Sequence, residues 1–131
     1  MCHPGDAVAE QVRGQFAARP VLCDLLAAQA AVLERNVSPQ LAAQYKRTAL
    51  ADTGALGDVV RAAVPELDDV AFRFAGGAVM IAGAVWSHSR PSAALLEAYA
   101  ADPELAAMRL DFTDTLREVL AVLVAGLLTR S

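Results

Sequence analysis

The sequence predicts an all-α fold, an antiparallel bundle of about six helices. Of the 131 residues, 56% are hydrophobic but only 5% are aromatic, and the apolar residues are mostly Ala, Leu and Val. Ala and Leu are strong helix formers, whereas strand-favouring Ile, Tyr and Thr are scarce. The third observation is a chain of Ser, Asp and Pro helix-start signals. The length suits one domain and is short for two.

Asp6 is placed to cap a short helix over about Ala7 to Ala18. Pro20 then fits the first turn of a helix running to about Arg35. Ser38 and Pro39 give an N-cap and first-turn pair for a helix to about Ala63, where Val64-Pro65 ends it. Gly54 and Gly57 make a bend inside that helix plausible. Asp68 or Asp69 is expected to cap the next helix, which carries a glycine-rich apolar segment to about Ser87. Residues 87–91 read as a turn, and Ser92 to Ala100 as a short helix. Asp102-Pro103-Glu104 is a further start signal, opening a final helix that is expected to run to about Thr129.

Two segments carry more apolar surface than one packing face requires. No charged residue lies between Glu118 and Arg130, and none between Phe74 and Trp86. On a helical wheel the large apolar side chains of Leu116 to Leu128 sweep roughly 240°, against the roughly 100° that one-sided packing needs. The excess predicts a second chain, with Leu116, Leu120, Leu123, Val124 and Leu127 on the dimer face. Gly76 and Gly83 lie seven apart and share a face with Val79 and Met80. Glycine inside a helix costs about 1 kcal/mol relative to Ala, which close approach of another helix would offset. These four positions are likewise expected at the dimer contact, although the approaching helix can also belong to the same chain.

A ligand site is expected where polar residues interrupt apolar rows. Gln29 breaks the row Leu22, Leu26, Leu33, and a buried amide needs a partner, either a neighbouring group or an effector. Tyr45, Thr48 and Asp52 lie on one strip of the following helix and would converge with Gln29 if the two helices pack face to face. A mainly apolar cavity with a few convergent polar groups is what small-ligand sites look like. The alternative is a solvated helix edge. Trp86, the only tryptophan, and His88 close the glycine-rich helix and are further candidates, against core packing and surface decoration respectively.

Other classes are disfavoured. The net charge is −4 and Lys46-Arg47 is the only adjacent basic pair, so the electrostatic footprint of a nucleic-acid binder is missing. The apolar runs 74–86 and 119–128 fall short of the roughly 18 residues needed to span a bilayer. No secretory signal is visible, and Cys2 and Cys23 lack metal or redox spacing, so a cytoplasmic protein with free thiols and no metal or cofactor is expected. No nucleophile elbow or phosphate loop is present, and no catalytic residues are assigned.

The runs Arg19-Pro20-Val21-Leu22-Cys23-Asp24-Leu25-Leu26, Gln29 to Ser38, and Ala98-Tyr99-Ala100-Ala101-Asp102-Pro103-Glu104-Leu105 closely resemble the C-terminal domain of tetracycline-repressor-like (TetR-family) transcriptional regulators. The resemblance extends from about Ala7 to Arg130. It implies a connector region over 1–18 and an effector-binding and dimerisation domain over 19–131. It further implies a homodimer formed through a four-helix bundle of the glycine-rich and final helices, and a small apolar or amphipathic effector. The family's helix-turn-helix head has no counterpart in these residues, so DNA would be reached only through such a head. The other reading of the same residues is a head-less helical interaction protein that dimerises with itself or with a full-length regulator.

Overall fold

The computed structural model describes residues 3, 5–35 and 37–130, with the backbone alone for 30–35. Cys2 and the side chain of Leu33 therefore lie outside the described residues. Among these, seven α-helices and one 3-10 turn are formed and no strand. The helices are α1 (Asp6–Ala17), α2 (Pro20–Arg35), α3 (Pro39–Ala63), α4 (Ala71–Ser89), α5 (Ala93–Ala101), α6 (Pro103–Ala106) and α7 (Phe112–Arg130), with the 3-10 turn Pro65–Val70 between α3 and α4. The all-α expectation holds.

Local chemistry explains most of the boundaries. Ser38 Oγ accepts from the Leu41 amide at 3.2 Å with Pro39 in the first turn, and Ser92 Oγ does the same for Leu95 at 3.2 Å. These caps satisfy amides that the helix itself leaves unpaired. Four expectations are corrected. Asp6 lies inside the first turn of α1, with Gly5 at the cap position and no side-chain cap bond. α3 runs unbroken through Gly54 and Gly57. Neither Asp68 nor Asp69 caps α4; Val70 holds that position, and Asp68 turns the corner with φ of 42°. The final helix is split: α6 is one turn, and α7 starts afresh where Asp111 Oδ2 accepts from the Asp114 amide at 2.9 Å.

α4 is the central helix, packed against α2, α3 and α7, while α1 packs on α7 and α2. Ala71, Ala75, Ala78 and Ala82 form a stripe at spacings of four, three and four, all at most 2% exposed. Small side chains there let neighbouring helices approach α4 closely. α3 runs antiparallel to α4: Thr53 lies by Gly76, and Gly57 lies under the backbone of Phe72, whose Cα would be 3.2 Å from a Cβ at residue 57. Phe74, Leu67, Leu116, Leu120, Val60, Val124 and Cys23 are the largest fully buried side chains. Each large apolar side chain so buried contributes about 1.5–3 kcal/mol.

Taken with the preceding 3-10 turn, Pro65–Ser89 is long and apolar enough to cross a membrane by length and composition. In the fold its apolar stripe is consumed by α2, α3 and α7, which is what an over-apolar core helix does in a bundle.

Candidate functional site

Four helices leave a gap that their side chains do not fill. Between α1, α2, α3 and α4 lies an open cavity of about 1520 Å³. The origin of the gap is geometric. α2 touches α4 closely at one crossing, where a Cβ on Gly83 would stand 3.2 Å from the carbonyl of Leu26. α3 touches α4 closely at the opposite end of that helix, at Gly57 and Phe72. The cavity opens between these contacts, and α1 forms the remaining wall.

The walls are mainly apolar, with polar groups set among them. α2 supplies Leu22, Leu26 and Gln29; α3 supplies Tyr45, Thr48 and Asp52, along with Lys46 and Leu56; α4 supplies Val79, Met80, Ser87 and His88. Seven of the eight expected ligand residues thus line one cavity. Gln29 and the Tyr45 strip line the same cavity because α2 and α3 both pack on α4, not because they pack face to face on one another. The mouth is wide, since Tyr45 is 41% and Met80 74% exposed.

Several polar groups already have partners. The Thr48 hydroxyl donates to the Gln44 carbonyl at 3.2 Å, leaving its lone pairs as acceptors. His88 Nδ1 stands 2.8 Å from the Ala84 carbonyl, which can only accept, so Nδ1 carries the proton. In the neutral ring Nε2 is then an acceptor. Arg19 Nη1 donates to the Gln15 carbonyl at 3.1 Å and to the Gln15 side-chain oxygen, which fixes a cation where α1 meets α2. Lys46 adds a second positive charge to the lining and Asp52 a negative one.

Trp86 is the exception. It does not line the cavity. Its Nε1 donates to Asp24 Oδ1 at 2.7 Å, its ring meets Phe112 edge-on at 5.0 Å, and the Arg90 guanidinium lies 4.8 Å from its centroid. Trp86 thus joins α4 to α2 and α7 as a clamp, outside the cavity lining.

The expected dimer residues divide in the same way. Leu116, Leu120 and Val124 are fully buried in the chain's own core and offer nothing to a second chain. Gly83 is used on Leu26 within the chain, and Gly76, Val79 and Met80 line the cavity. Leu123 packs beside Gly77 and Leu127 against the core, both half-buried. The reason is that α4 is surrounded on three sides, so much of the apolar excess of α4 and α7 is absorbed internally. Exposed apolar surface on α7 is instead at Val119 and Val122, the latter 68% exposed.

α1 contributes a wall that was not expected from its sequence. Val8, Gln11, Val12, Gln15 and Phe16 all line the cavity. The signal was present in Val8, Val12 and Phe16, an apolar row at spacings of four. Cys23 is buried beneath this wall, its thiol donating to the Phe16 carbonyl at 3.3 Å. Burial pushes the thiol pKa up, and the neighbouring charge of Asp24 adds to the rise. Among the described residues no group of three or more His, Cys, Asp or Glu is placed to hold a metal.

Residues 3–131 match a family model described as the tetracyclin repressor-like C-terminal domain. A comparison with curated proteins yields no match.

Proposed function

The chain belongs to the tetracycline repressor-like C-terminal domain family, and from that membership we propose that it is the small-molecule-sensing and dimerisation domain of a cytoplasmic transcriptional regulator. The observation that carries this reading is the cavity between α1 and α4, with Gln29, Tyr45, Thr48 and Asp52 set into apolar walls. Pockets of this composition bind apolar or amphipathic molecules, the apolar walls giving affinity and the few polar groups giving orientation.

The participation of α1 supplies a mechanism. In regulators of this family the DNA-reading head precedes the connector helix, which α1 resembles. A ligand that touches Gln11, Gln15 and Phe16 on one side and α2 to α4 on the other interacts differently with different positions of α1. Such differential affinity is what shifts a conformational equilibrium, and the dimer frame carries the shift to a pair of heads. The outward faces of α4 and α7, including Val119 and Val122, are the proposed contact between chains.

The test is titration with two amphiphiles, anilinonaphthalene sulfonate and dodecanoate, by fluorescence and calorimetry. Saturable binding near one molecule per chain is expected. Met80→Trp, at an exposed lining position, should fill part of the cavity without disturbing the core and weaken binding at least tenfold. Absence of saturable binding by both probes, or binding indifferent to the substitution, overturns the ligand reading. A wild-type chain that stays monomeric at tens of micromolar overturns the dimer reading.

A further inference from the structure

The segment linking α4 to α7 is a helix pair without a core. α5 holds only one charged residue, Glu97, among nine, yet none of its residues is buried. Its main neighbour is α6, itself a single turn with no buried residue. Leu95, Leu96, Leu105 and Leu110 are 39–41% exposed and Met108 is 69% exposed. The segment is nonetheless a built element. Ser92 caps α5, Asp102 Oδ1 accepts from the Glu104 amide at 2.9 Å, and Asp111 caps α7. Its two roots are pinned together by the edge-on contact of Trp86 and Phe112. Side-chain caps and a fixed base thus hold in place an apolar arm whose helices bury none of their residues.

We propose that residues 92–111 form an arm whose apolar side packs on a second copy of this chain, next to Val122 of α7. The proposal rests on the dimer reading above and names a part of the contact that lies outside α4 and α7. Three observations select a second copy as the occupant. The chain exposes 8614 Å², whereas a compact monomer of its mass is expected to expose about 6600 Å². The excess of about 2000 Å² per chain, part of it in the open cavity walls, is above the roughly 1000 Å² per chain at which obligate homodimer interfaces begin. The arm also leads directly into α7, which exposes the apolar residues Val119 and Val122. Finally, 92–111 carries four acids against one arginine, Arg109, which does not suit an anionic membrane surface.

The experiment is sedimentation equilibrium of the 131-residue chain and of Leu105→Asp/Met108→Asp, with helicity followed by circular dichroism. Both side chains are exposed in the single chain, so helicity should be kept while the dimer dissociation constant rises at least a hundredfold. Hydrogen exchange on the wild-type chain, above and below its dissociation constant, provides a readout that needs no substitution. Amides of α5 should gain protection only in the dimer. A dimer unaffected by the double substitution, with α5 exchange independent of concentration, overturns the arm and leaves the dimer reading standing. A monomeric wild type overturns both.

Discussion

Replacing Trp86 tests the clamp most directly, because the partners are separated by 62 positions in sequence and joined only by the fold. Trp86→Phe removes the 2.7 Å hydrogen bond to Asp24 and retains a ring able to meet Phe112 edge-on. A hydrogen bond to a charged acceptor is worth about 1.5–3 kcal/mol when sheltered, but Asp24 is exposed, so about 0.5–1 kcal/mol is expected here. Trp86→Ala also loses the edge-on pair, worth about 0.5–1.5 kcal/mol, together with the burial of a half-exposed indole. Its total is expected near 3 kcal/mol, the lower end for large aromatic truncations. The assay is urea denaturation at fixed protein concentration, followed by circular dichroism because the substitution removes the only tryptophan. A double-mutant cycle of Trp86→Phe with Asp24→Ala should give a coupling of about 0.5–1 kcal/mol. Additivity within about 0.3 kcal/mol would refute the clamp. So would a Trp86→Phe variant that loses amphiphile binding while keeping its stability, since the indole would then belong to the ligand site.

Leu120→Ala should cost about 2–5 kcal/mol by denaturation, because Leu120 on α7 is fully buried in the core; a loss under 1 kcal/mol would refute that burial. Gly83→Val puts a branched side chain against the Leu26 backbone, 3.2 Å from the first added carbon, and is expected to cost about 1–3 kcal/mol. If its melting temperature is unchanged, the α2–α4 crossing is looser than described. The Cys23 thiol has its pKa raised above the ordinary 9.0, chiefly by burial. The unfolded chain therefore loses this proton first as pH rises, so the stability contribution is complete below about pH 8 and declines as pH climbs through 9 toward the folded value. Cys23→Ala should flatten that alkaline decline in denaturation measured from pH 7 to 10, and an identical slope in both proteins would remove Cys23 from the account.

The all-α class, the starts of α2, α3, α5 and α6, and the excess apolar character of α4 and α7 were legible in the residues alone. Each depends on groups within a turn of one another: Ser38 and the Leu41 amide, Ser92 and the Leu95 amide, Pro20 and Pro39 in first turns. Helical periodicity places Gln29 on one stripe and Tyr45, Thr48 and Asp52 on another; that the two stripes line one cavity follows from α2 and α3 both packing on α4. Which helix covers which apolar stripe was not legible. Hydrophobic burial is non-directional, and an over-apolar helix is satisfied equally by its own chain or by another. The tertiary structure decided that question. It wrapped α4 on three sides, turned Leu116, Leu120 and Val124 inward, took Gly83 for Leu26 and Trp86 for Asp24, and made α1 a cavity wall. It left the arm between α4 and α7 without a buried residue.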